Sequence, residues 1–243
     1  MEFISAGNGL HLFNALDTLL AHANQRKVMP NETNPSGSAI SLNIFNSLGG
    51  IENNKKENNA HYYKPRVINL YPLTENHYMI AVAFLGSSGN DVSLRAVINL
   101  TATLNNGSFT FAIPLSFYTR NWKTKQVGLI TYHYQENINV QRAEKFDRNN
   151  KRIASKLGLQ PEKFDFYLSD NYQGILHLLG YEFDSESTGN TTEGYGPDFG
   201  NIFSIMHNED FSHDVFHYYA AKIRKHERNG AAEEGVAYSW GNA

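Results

Sequence analysis

Cysteine is absent from all 243 residues. That one absence excludes disulfides, thiolate nucleophiles, cysteine-ligated zinc and iron–sulfur clusters. Charge is also scarce: 19% of residues are charged, and 21 Lys and Arg against 24 Asp and Glu leave a formal net charge of −3. With no basic surplus to neutralise phosphates, nucleic acid is excluded as the main partner. No apolar run approaches the roughly 18 residues that a membrane span needs. The opening Met1-Glu2-Phe3-Ile4-Ser5 shows neither the basic nor the apolar region of a signal peptide. What is present is a 41% hydrophobic complement, enough for a sizeable core without covalent staples, in one large domain or two small ones. The polar residues are mostly uncharged and rich in Asn, beside 14 Tyr and 15 Phe. Such a surface suits an extracytoplasmic setting (secreted, periplasmic or cell-surface), which is the expected localisation. Four Asn-x-Ser/Thr sites, at Asn31, Asn99, Asn106 and Asn190, are what chance gives in an Asn- and Thr-rich chain and decide nothing.

The hydrophobic pattern divides the chain. Leu10, Phe13, Leu16, Leu20 and Ala23 recur at helical spacing and predict an N-terminal helix with one apolar stripe. Residues 29–38 hold two prolines and a glycine and read as loop. Residues 39–48 fit a short helix or a strand, and 49–60 are polar. From 61 to 134 the period changes: 66–71, 78–85, 94–104, 109–117 and 126–134 are β-branched and aromatic runs separated by turn signals, Asn105-Asn106-Gly107 among them. A helix followed by such a meander predicts an α+β domain over residues 1–127, its helix packed on a curved antiparallel sheet. Beyond it the pattern predicts a helix over 138–157 with Gly158 as its cap, a strand at 164–168, a helix from 169 to Gly180, a loop over 184–200, a strand at 201–206, and a helix beginning at Asn208 with Glu209 and Asp210 in its first turn.

On that last predicted helix stands His213-Asp214-Val215-Phe216-His217. Histidines four residues apart project from one helical face, so their ring nitrogens can converge on one metal ion. Spacing alone is no proof, since ten histidines in 243 positions give roughly 0.4 such pairs by chance. Two additions strengthen it: an acid directly follows the first histidine, and Ala232-Glu233-Glu234-Gly235-Val236-Ala237 supplies carboxylates on a further helix. The alternatives are a pair of partly exposed helix histidines, a solvated acid at Glu234, and core packing for Phe211, Phe216, Tyr218 and Tyr219. His207 and His226 are expected near the site or on the surface rather than on the metal. Ile223 occupies the place where a metzincin would carry its third histidine.

His-acid-x-x-His followed by a Glu-Gly-x-Ala helix resembles the gluzincin zinc metallopeptidases. The resemblance covers about residues 128–243, with Phe164–Ser169 and Asn201–Met206 similar to that family's early and edge strands. For residues 1–127 only a cystatin-like or nuclear-transport-factor-like layout is suggested. The gluzincin resemblance implies an α/β peptidase core over 128–243, Zn2+ held by His213, His217 and Glu234, Asp214 in the place of the general base, and a peptide or protein substrate paired along the 201–206 edge. The sequence departs from the family at Asp214, where a Glu is usual. It also ends nine residues after Glu234, before the helices that give the family a Tyr or His for the transition state, so a C-terminally incomplete site is expected. Two further readings remain: a catalytically weak or inactive binding protein on that fold, and a metal-free domain with an accidental histidine pair.

Overall fold

The computed structural model describes residues 6–35, 38–186, 195–198 and 200–241. It is an α+β protein whose chain divides into two compact units, residues 1–118 with 176–188, and residues 119–175 with 189–243.

The first unit opens with α1 (Ala6–Asn24) and, after a 3-10 turn at Pro30–Glu32, α2 (Ser38–Ser47). On α1 the buried stripe is Leu12, Leu16, Leu19 and Ala23, with Leu20 beside it, whereas Leu10 and Phe13 of the expected stripe are 62% and 40% exposed. Leu12 and Leu19 lie four and three residues from Leu16, and so complete a face that Leu10 and Phe13 cannot share. Residues 39–48, open to either reading in the sequence, are helical, with Ile40, Ile44, Phe45 and Leu48 buried. Four strands follow, β1 (Lys64–Thr74), β2 (His77–Ser88), β3 (Asp91–Asn105) and β4 (Ser108–Ala112), in an antiparallel meander. Asn106 and Gly107, both at positive φ, make the two-residue turn between β3 and β4 that Asn-Gly favours. The expected strand at 109–117 stops at Ala112, ahead of Pro114, and α3 (Leu115–Tyr118) replaces its second half.

The second unit begins with β5 (Lys123–Val127) and β6 (Ile130–Tyr134), a hairpin where the sequence suggested one strand over 126–134. Gly128, at φ 59°, turns it, and Asp147 accepts from the Leu129 amide to hold the turn. Then come α4 (Val140–Lys156), capped by Asn139 and closed by Gly158 at positive φ, β7 (Phe164–Ser169) and α5 (Tyr172–Leu178). The chain returns to the first unit at Leu176, within α5, and there adds β8 (Tyr181–Asp184), which pairs with β3. It completes the second unit with β9 (Tyr195–Asp198), β10 (Asn201–Ile205), α6 (His213–Ile223) and α7 (Gly230–Gly241). Of the expected loop at 184–200, residues 187–194 and 199 lie outside the described residues. The sheet order is β5-β6-β7-β10-β9, with β6, β7 and β10 parallel and the two flanking strands antiparallel.

Two expectations fail here. The strand at 201–206 is not an edge: β10 is paired by β7 on one side and β9 on the other. The helix expected from Asn208 starts five residues later, at His213. Glu209 is only 1% exposed, and its carboxylate accepts from the Asn139 amide at the start of α4. Its carbonyl takes the Tyr132 hydroxyl. These contacts hold the 207–212 segment in a non-helical path, so its acids serve the α4 N-terminus instead of α6.

Candidate metal centre

Residues of α4, β6, β7, β10, α6 and α7 share one core, in which Tyr132, Phe146, Phe166, Ile202, Val215, Phe216, Tyr219 and Ala237 are buried. Val215, Phe216 and Tyr219 turn one face of α6 inward, and His213 and His217 emerge beside it, partly exposed. Phe211 and Tyr218 pack against the same core, which bears out the packing reading of the aromatic run. Tyr219 fixes the height of the helix: its hydroxyl donates to Asn150 of α4 at 2.6 Å and accepts from the Glu162 amide at 2.7 Å. Burial pushes this phenol up to about 12, so it is neutral and can play both parts.

The end of α7 is stitched to the start of α6. Ser212 donates to the Gly241 carbonyl at 2.6 Å, Asn149 reaches both, and Arg152 donates to the Trp240 carbonyl at 2.5 Å. Carbonyls that a helix C-terminus leaves unpaired are thereby satisfied. A β-carbon on Gly241 would stand 2.7 Å from the His213 α-carbon, so the approach requires glycine. This contact lays α7 along α6 and aims Glu234 at the histidines.

The cluster itself is tight. His213 Nε2 and His217 Nε2 lie 3.3 Å apart. Glu234 brings Oε2 to 3.2 Å from the first and Oε1 to 3.3 Å from the second. Asp214 Oδ1 is 4.0 Å from His213 Nε2. His213, Asp214 and His217 place ligand atoms within 4.8 Å of one another and can hold a metal ion. His207 and His226 are both exposed and form no part of that group.

Glu233, the neighbour of Glu234, has a separate place. Its Oε1 is 2.8 Å from His217 Nδ1, and Arg224 and Arg228 flank it at 2.7 and 3.1 Å. Burial alone would raise this carboxyl, but the His217 hydrogen bond and the two guanidinium charges hold it below the usual carboxylate range. Glu233 at Nδ1 turns Nε2 of His217 toward the cluster. Glu234 is likewise kept ionised: the slight burial that opposes this is outweighed by His217, His213 and Arg228. His213 Nδ1 is buried with no hydrogen-bond partner among the described residues. The centre is therefore a convergence of two ring nitrogens and a carboxylate.

The cluster opens onto a cleft of about 800 Å³ whose rim includes Arg142, Lys145, Asp210 and Tyr238. Tyr238, four residues after Glu234 on α7, sets its ring 4.6 Å from that of His213. Sequence reasoning missed Glu233 as the His217 partner and gave Arg224, Arg228 and Tyr238 no part. The available signal was the i, i+4 register of Glu234 with Tyr238 on α7; Arg224 and Arg228, on the segment between α6 and α7, carried none. No protein-family profile and no curated protein matches the chain.

Proposed function

We propose that the second unit is a zinc-dependent peptidase of gluzincin type. His213, His217 and Glu234 would hold the metal, and Asp214 stands in the general-base position. The observation that carries the reading is the spacing of the three donors. Ligand atoms 2.0–2.1 Å from a tetrahedral zinc stand roughly 3.3–3.4 Å from one another; the two Nε2 atoms are 3.3 Å apart and Glu234 Oε2 is 3.2 Å from that of His213, with the second carboxylate oxygen, Oε1, 3.3 Å from that of His217. Two imidazoles and one carboxylate also form a donor set that suits zinc and leaves it a free position. When bound, such a metal supplies Lewis acidity toward a carbonyl oxygen and toward water.

The chain's own residues do the rest. Asp214, at the edge of the cluster, accepts a proton from the attacking water and returns it to the leaving amine. Glu233 holds His217 in one tautomer and orientation throughout. The substrate cannot pair with β10, which is covered on both sides. Among the described residues the edge on that side is β9, whose Pro197 has no backbone N–H to donate. An extended peptide added along β9 would present a scissile bond by strand pairing. Among the described residues no helix is long and apolar enough to cross a membrane.

One feature favours the second reading, a weak or inactive binder. Asp214 is a methylene shorter than the Glu usual at its place. A general base must come within about 3 Å of the proton it takes, and a misplacement of about 1 Å can cost on the order of 100-fold in rate. Cleavage of a mixed peptide library, by protein with and without a chelator, separates the two. Slow, chelator-sensitive cleavage that disappears in Asp214→Asn supports the peptidase; peptide retention without cleavage in zinc-loaded protein supports the binder.

A further inference from the structure

Resting on the metal-site reading, we infer that Arg228 is a positioning residue that sets how Glu234 presents its carboxylate: it occupies Oε1, leaves Oε2 as the single ligand atom, and so keeps a coordination position open. Arg228 Nη2 lies 2.7 Å from Glu234 Oε1, closer than the 3.3 Å that separates this oxygen from His217 Nε2, while Oε2, 3.2 Å from His213 Nε2, has no contact with the guanidinium among the described residues. The same guanidinium puts Nε 3.1 Å from Glu233 Oε1, the oxygen that holds His217 Nδ1. One planar fork thus ties the carboxylate that faces the metal position to the carboxylate that orients a histidine, a geometry that arginine can span and lysine cannot. Arg224 pairs with Glu233 as well, and among the described residues Arg228 is the arginine paired with Glu234.

Denticity matters because a carboxylate can offer one oxygen or two. Three protein ligands with one donor atom each leave the fourth tetrahedral position for water or substrate. A Glu234 free to turn both oxygens inward would fill that position itself. Arg228 is half-exposed on the segment between α6 and α7, outside the core, so its replacement leaves the packing intact.

Metal affinity alone does not report on this. Deleting a cation beside a dication strengthens binding, while releasing the ligand weakens it. Coordination number is the direct readout, and cobalt(II) gives it at saturation, since four-coordinate cobalt absorbs visible light several-fold more strongly than five- or six-coordinate cobalt. The wild type loaded with one cobalt per chain is expected to show the intense band. Arg228→Met should bind one cobalt yet lose most of that intensity, and Arg228→Lys, which restores one donor to Oε1, should recover part of it. Circular dichroism confirms that each variant is folded. Wild-type spectra in both saturated variants would overturn the role of Arg228 while leaving the metal site standing. Failure of the wild type itself to take up cobalt would instead remove the metal site, and this inference with it.

Discussion

At the scale of single residues, the two adjacent glutamates have different duties, and each is testable. Glu233 orients His217 through Nδ1 at 2.8 Å. Glu233→Gln removes the charge that fixes the tautomer, and loss of such an outer partner weakens metal binding by about 10- to 100-fold. Competition titration against a chelator of known affinity checks this; unchanged affinity would show that His217 is oriented by packing alone. Asp214 offers a second test, through Asp214→Glu. If its reach limits the reaction, the longer acid raises peptide cleavage at equal zinc content, by up to about 100-fold. A fall instead would mean that the cleft is fitted to Asp. The sequence made His213 and His217 legible because a four-residue spacing fixes a shared helical face before any tertiary contact forms, whereas Glu234 was singled out from Glu233 only by the gluzincin resemblance. It could not reveal that Arg228 joins Glu233 to Glu234, since that contact comes from a connecting segment whose path no periodicity records.

At the scale of elements, the centre depends on how closely α7 approaches the start of α6. Gly241→Ala places a methyl against the His213 backbone, and overpacking of this kind costs about 1–3 kcal/mol. Because backbone must yield, Glu234 moves off the histidines too, so thermal stability and metal affinity should fall together. A variant that lost stability but kept full affinity would separate the helix contact from the site. On its far side α6 is tied to Glu162 by Tyr218 and Lys222. Burial would raise the Glu162 carboxyl, but those two bonds hold it below its ordinary 4.5. A lowered folded-state value gives stability that is present above pH 4.5 and lost as pH falls through that lowered value. Glu162→Gln should therefore lose less stability than the wild type between pH 6 and pH 3, by under about 1 kcal/mol given its exposure; identical acid profiles would contradict the tie. Elements with a clean internal period, α4 above all, were readable from the sequence. The 207–212 segment was not, because its acids match a helix start and only the α4 amide at Asn139, seventy residues away, claims Glu209 instead. β10 was misplaced at an edge for a similar reason: which strand covers it is decided by residues beyond its own pattern.

At the scale of the whole molecule, the chain crosses between its two units more than once, since residues 176–188 belong with residues 1–118. β8 within that stretch pairs with β3, so a fragment ending at residue 118 loses a strand of its own sheet and should fold less stably than the same unit in the intact chain. With two cores, unfolding need not be a single transition. Only the unit that carries His213, His217 and Glu234 should respond to metal, and at a free concentration 1,000 times Kd it should gain about 4.1 kcal/mol. The measurement that tests the central claim most directly is zinc bound per chain, by elemental analysis after equilibration with the metal and removal of the excess, for the wild type, His217→Ala and Glu234→Gln. The account predicts about one zinc on the wild type, none on His217→Ala and a reduced share on Glu234→Gln, consistent with the coupling of metal to a preformed ligand set. Less than about a tenth of an equivalent on the wild type, or equal zinc on His217→Ala, would contradict it.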